Sequence, residues 1–360
     1  MSSAQMQPLP ETTTPVPGRR AESEAVYAAL TAGALGAVYG LLVGLFAPKL
    51  QLGGNSHSFA VWAACGAAVV AAVIATVEYW RARNRPGQEW RRSLPSWKFI
   101  VNTVSVVIVH AALSFVIVYA LFRLLAAGFI GLPIVTFWAV VLMAVTLGLT
   151  TWIVFLSVSA MTTQRMATLL LAFIAVGTLT AMLTTPDPDW WKVHFSQLGT
   201  FDDLSSWVFN GTLIAGGLLV TTFAVYIAND MRELAAAGIL ENPRGPRVIP
   251  VLFVIMGIML AFVGIVPVDV NLTVHNLSAS GMAVMYLVML IGGPRFFRGM
   301  PRTYFVASWA FLAATVASVI LFIPAIGYFS LTAFEILVFA LIFGWIAVFV
   351  RFLGVAGRTD

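Results

Sequence analysis

Charge is scarce in this chain. Only 10% of its 360 residues are Asp, Glu, Lys or Arg, against about a quarter in soluble domains. Cysteine is scarcer still. Cys65 stands alone, which excludes an intrachain disulfide and a cysteine-based zinc site. No H-E-x-x-H pair and no G-x-x-x-x-G-K-[ST] loop occurs, so the zinc-protease and Walker-type phosphate signatures are both missing. Residues 1–24, MSSAQMQPLPETTTPVPGRRAESE, hold no apolar run. They read as a disordered cytoplasmic tail, not a cleavable signal, so the first apolar segment must serve as its own insertion signal. No polar stretch is long enough for a soluble domain, which excludes a large ligand-binding or ATP-hydrolysing module.

Apolar residues are abundant instead: 60% of the chain, with a mean hydropathy of +0.93. A helix crossing ~30 Å of hydrocarbon needs about 20 apolar residues. Runs of that kind fall at 25–47, 59–80, 99–122, 133–159, 166–185, 206–229, 248–267, 277–293, 303–324 and 331–352. The expected fold is therefore an all-α polytopic membrane bundle of ten transmembrane helices over 25–352, with a first hairpin at 25–80, the remaining helices at 99–352, and a short tail at 353–360. No cofactor is expected.

Charge placement orients it. With the N-terminus inside, only Lys49, Arg123 and Lys192 of the 20 Lys and Arg fall on outer segments. Basic residues collect on the cytoplasmic side, so both termini are expected in the cytoplasm and the cell membrane is the expected location. The net charge of +5 is thereby explained by short loops that meet anionic lipid headgroups. Membrane lipids and a membrane-protein partner are the expected partners, and nucleic acid is not.

Gly36, Gly40 and Gly44 recur every fourth residue in the first run, and the second is alanine-rich around AACGAA, 63–68. Small residues let helices approach closely, so these two are expected to pair tightly. Trp190 and Trp191, with Trp90 and Trp97 on the other side, suit headgroup-level belts. The loop GGPRFFRGMPR, 292–302, is expected to end the eighth helix. Glu78, near the arginines of 81–92, is expected in an ion pair.

The candidate chemistry lies in two outer loops. TPDPDWWKVHFSQLGTFDD, 185–203, joins the fifth and sixth runs, and VPVDVNLTVHNLSASG, 266–281, joins the seventh and eighth. Each has Pro and Asp after an outward-running helix, then Val-His, then Ser. Both hairpins run the same way, so a repeat, if one exists, would be parallel. Asp187, Asp189, His194, Asp202, Asp203, Asp269, His275 and Asn276 could converge there, with Glu335 at the rim of the last run. Pro267, Asp269 and His275 followed by Asn276, together with DPDWWKVHFSQLG, resemble the membrane family known as domain of unknown function nine-nine-eight, in its longer actinobacterial form. A distant similarity to FRAG/DRAM-type membrane proteins accompanies it. The resemblance covers most of 25–350 and implies a multi-helix bundle, with no activity attached.

Two imidazoles with carboxylates suit a divalent metal, for which His194, His275 and Asp269 are the expected ligands, or proton transfer near neutral pH. A metal-bound water could then attack a lipid ester. The plainer reading is that Asp and His cap helix ends. His110 lies halfway along the third run, where an ionisable group needs a polar partner. Thr146, Thr150 and Thr151 in the fourth run are the expected partners. Binding or transport of a lipid or small molecule near the outer leaflet is the leading expectation. An accessory subunit comes second and a metal-dependent lipid hydrolase third.

Overall fold

The computed structural model describes residues 17–47, 50–53, 57–200 and 202–356. Tail residues 1–16 and 357–360, and Lys49, lie outside them. The described residues form ten long helices: α1 (Pro17–Phe46), α2 (Phe59–Ala82), α3 (Ser96–Gly128), α4 (Thr136–Ser159), α5 (Thr163–Thr184), α6 (Leu204–Ala236), α7 (Gly245–Ile265), α8 (Leu272–Phe296), α9 (Arg302–Phe322) and α10 (Leu331–Ala356). Among the described residues there is no strand, only an isolated bridge between Gln51 and Pro133. All ten helices are long and apolar enough to cross a membrane, so the ten expected spans are all present.

Several boundaries differ from expectation: α3 runs on to Gly128 and α6 to Ala236, and α8 begins at Leu272. α1 begins at Pro17, inside the expected tail. Helical continuation there lets Arg20 and Glu24 pair one turn apart, at 3.1 Å. α8 runs through Gly292, Gly293 and Pro294 to Phe296, so these residues do not end it. α10 likewise continues to Ala356, past the expected tail boundary at 353.

The glycine row of α1 packs against α4, not α2. A methyl group on Gly36 would lie 2.8 Å from the Met143 carbonyl oxygen, and one on Gly44 would lie 2.8 Å from Thr136 Cα. The alanine face of α2 packs among residues of both α3 and α4, and Phe59 meets Phe122 of α3 edge to face at 5.2 Å. α1 reaches α2 through Tyr39, whose hydroxyl donates to the Trp62 carbonyl at 3.2 Å.

α6 is the central helix, with 67% of its apolar window buried against 17% for α9. It carries Phe223, which meets Phe253 of α7 at 5.5 Å. Phe253 stacks on Phe349 of α10, which also stacks on Trp345. At thirty-three residues each, α3 and α6 rise about 50 Å and so extend beyond a hydrocarbon core.

Loops cross-link the two ends. At the arginine-rich end, Glu78 of α2 is 1% exposed and pairs with Arg85. Arg85 also reaches Glu24 of α1 at 3.3 Å. The ion pair expected for Glu78 is therefore present, extended to α1. Trp90, expected at a belt, packs on Tyr226 at 5.1 Å. At the opposite, acidic end, the α5–α6 loop docks onto α8 and α10.

Candidate functional site

The α5–α6 loop is built from two short 3-10 turns, Trp190–Lys192 and Phe195–Gly199. Its aspartates are used locally. Asp187 accepts from the Asp189 amide at 2.8 Å, and Asp189 pairs with Lys192 at 2.9 Å. Asp203 caps α6, accepting from the Ser206 amide at 3.0 Å, while Ser206 Oγ reaches back to the Asp203 amide. This reciprocal box satisfies two of the free N–H groups at a helix start. The capping reading describes Asp203; Asp187 instead bonds a loop amide and Asp189 an adjacent lysine.

The two histidine loops do meet, through a residue that sequence reasoning missed. His275 sits in the first turn of α8, 3% exposed. Its Nδ1 lies 2.9 Å from the Val266 carbonyl oxygen and its Nε2 lies 2.9 Å from Ser196 Oγ. A carbonyl can only accept, so Nδ1 carries the proton, and in the neutral ring Nε2 is then the lone pair to which Ser196 donates. Both ring nitrogens are thus engaged, and a metal at His275 would have to break one of these bonds. Among the described residues, no three His, Cys, Asp or Glu side chains gather as a cation cluster.

The segment preceding Ser196 is pinned. The Phe195 amide donates to Glu335 Oε2 of α10 at 2.6 Å. Its ring lies between Phe209 at 5.1 Å and Phe339 at 5.7 Å. His194 is half-buried beside His275, and its Nδ1 is enclosed without a hydrogen-bond partner. Burial, then the nearby His275, holds the His194 ring below the ordinary 6.5. The folded loop therefore favours neutral His194. That contribution to stability is complete above the ordinary value and is lost as pH falls through the lowered one. The protection of amides 190–200 against hydrogen exchange, taken relative to the intrinsic rate at each pH, should fall as pH drops below the ordinary histidine value of about 6.5, and His194→Gln should flatten that profile. An unchanged profile in that variant would assign the acid sensitivity elsewhere.

Asp202 and Asp269 face a different space. Both are exposed and line a cavity of about 650 Å³ between the start of α6 and the end of α7, with Thr200, Ser206, Asn210 and Pro267. Trp207 and Gly211 form one of its walls. The same two residues line a second, apolar groove of about 330 Å³, completed by Ile108, Leu113 and Phe115 of α3 and Phe173 of α5. Asn276 is exposed on the first turn of α8 and lines neither.

At mid-span, His110 donates from Nδ1 to the Val106 carbonyl at 2.8 Å and accepts at Nε2 from Ser157 of α4 at 3.0 Å. Ser157 replaces the expected threonines. Thr150 and Thr151 are buried on α4, and Thr151 Oγ1 has no hydrogen-bond partner. Thr146 is half-buried one turn before Thr150. Ser157 follows Thr150 by seven residues, hence on nearly the same helix face. That spacing could have found it.

The fold defines the class: an all-α multi-pass membrane protein, with ten helices among the described residues long and apolar enough to cross a membrane. A family profile described as "Protein of unknown function (DUF998)" matches residues 166–351, more than half of the chain and nearly all of α5–α10. The chain belongs to that family. No curated protein and no solved structure matches it.

Proposed function

We propose that this protein binds an amphipathic membrane lipid at its acidic end. The tail lies in the groove between α3, α5 and α6, and the headgroup in the neighbouring cavity between α6 and α7. The observation that carries this reading is the sharing of Trp207 and Gly211 by an apolar groove and a polar cavity. A lipid needs both surfaces side by side. Asp202 and Asp269 favour a cationic or uncharged headgroup over an exposed phosphate, because like charges repel at short range. The reading places the acidic end outside and both termini in the cytoplasm of a cell membrane, as the arginine distribution supports. Passage of the lipid between leaflets is the transport form of the same proposal.

Gly211 supplies the test. A methyl group there would meet no atom within 4 Å, so Gly211→Leu adds bulk to the groove junction without a clash. It should not lower stability, since glycine costs a mid-helix position roughly 1 kcal/mol. Three displaced methylenes at about 0.8 kcal/mol each exceed the 1.4 kcal/mol of a tenfold change. Native mass spectrometry of the detergent-extracted protein should show retained lipid, depleted at least about tenfold in Gly211→Leu. Protein that carries no lipid, or a variant that keeps it in full, would refute the reading.

A further inference from the structure

We propose that Ser196 and His275 form a catalytic dyad that cleaves an acyl ester of a membrane lipid. A nucleophilic serine requires a base within hydrogen-bond reach and a third group that orients the base. All three are present. Ser196 Oγ lies 2.9 Å from His275 Nε2, and the Val266 carbonyl holds the opposite nitrogen at 2.9 Å. That carbonyl selects the tautomer with its lone pair toward the serine, the state a general base needs.

Location separates this pair from the other serine–histidine pair. His110 and Ser157 lie inside α3 and α4, His110 near the middle of its helix and Ser157 in the last turn of its own. Ser196 lies in a loop between helices, half-buried, three residues before Gly199. Val266 immediately precedes Pro267. Gly199 and Pro267 both line the 650 Å³ cavity, so the two segments that carry the dyad continue into its wall. Neither Ser196 nor His275 lines the cavity itself, so a lipid ester would reach the dyad past the wall that Gly199 and Pro267 form. Glu335 is a positioning residue: it fixes the Phe195 amide next to the nucleophile.

In the first step Ser196 Oγ bonds to the acyl carbonyl carbon, and its proton passes to His275 Nε2. The ester C–O bond breaks and His275 returns that proton to the departing alkoxide, releasing an alcohol. His275 then takes a proton from water, whose oxygen attacks the acyl-serine. The acid leaves and the proton returns to Ser196 Oγ. Ester and water give acid and alcohol. Neutral His194 beside the site adds no opposing charge when His275 becomes cationic.

The substrate class rests on the lipid reading, whereas the dyad can be tested without it. The full chain in detergent is treated with an alkyl fluorophosphonate, and the labelled peptide is identified by mass. Labelling at Ser196 is expected, absent in Ser196→Ala and slowed roughly 100-fold in His275→Gln. A folded wild-type chain that stays unlabelled, or is labelled only at other serines, overturns the dyad. If Ser196→Ala fails to fold, Ser196→Cys in a Cys65→Ala background serves instead. Its alkylation should titrate below the ordinary thiol value of about 8.5, and His275→Gln should restore that value. An ordinary profile in both overturns the proposal. A purely structural bond between loop and helix would lower thermal stability on truncation but would move neither the labelling nor the thiol profile. Labelling without retained lipid removes the substrate and keeps the dyad; retained lipid without labelling does the reverse.

Discussion

Arg85→Ala should be among the most destabilising side-chain truncations in this protein. The carboxylate of Glu78 is 1% exposed, and one of its oxygens, Oε2, is enclosed with no hydrogen-bond partner. Arg85 pairs with the other oxygen. Arg81 reaches Glu24 at 3.6 Å and makes no ion pair with Glu78 among the described residues. Removing Arg85 strands a charge inside the bundle, which costs about 3–5 kcal/mol. Removing both charges is a different matter, because the desolvation cost disappears along with the attraction. Arg85→Ala combined with Glu78→Leu should therefore recover most of the lost stability. Thermal unfolding of the detergent-extracted variants decides it. If the double variant is as unstable as Arg85→Ala, the stranded charge is not the cause.

Glu78 also illustrates what was legible in the sequence. A lone carboxylate at the end of an apolar run, followed by a run of arginines, announces its ion pair by proximity along the chain. The ten spans were legible for a similar reason: bilayer thickness imposes a length, and few other constraints produce apolar runs that long. Partners set by tertiary packing were not. The glycine row of α1 showed that a helix would approach, but no glycine specifies which one, and α4 fits because Ala139 and Ala144 are small. The candidate site divides along the same line. Asp187 and Asp203 stand two and three residues from the amides that donate to them, so their local role could be read directly. The link between His194, His275 and Glu335 runs through Ser196, the Phe195 amide and the Val266 carbonyl. Two of those three are backbone atoms, which every residue possesses and no motif marks. The groove junction at Trp207 and Gly211 was hidden for a further reason: it is a space, formed only when α3, α5, α6 and α7 are assembled.

Gly217→Leu tests the central packing and should lower stability, which Gly211→Leu on the same helix should leave intact. A methyl group on Gly217 would lie 2.6 Å from the Ala261 nitrogen and 2.8 Å from Ala261 Cβ. From the other side, a methyl group on Gly257 would lie 2.7 Å from the Gly217 carbonyl oxygen. Backbone thus meets backbone where α6 crosses α7, and neither partner is a side chain that could swing away. Within a membrane such contacts carry much of the association between helices, because lipid tails are as apolar as the side chains. A leucine there must push the helices apart, at a cost on the order of 3 kcal/mol. The displacement would also open the far end of the α6–α7 pair, where the headgroup cavity is lined by Asn210 and Gly264. Gly217→Leu should lower both the unfolding temperature and lipid retention, whereas Gly211→Leu should lower retention alone. Equal unfolding temperatures for the two variants would mean that the α6–α7 crossing is looser than the backbone contact implies. The polar cavity between α6 and α7 would then need a different rigid wall.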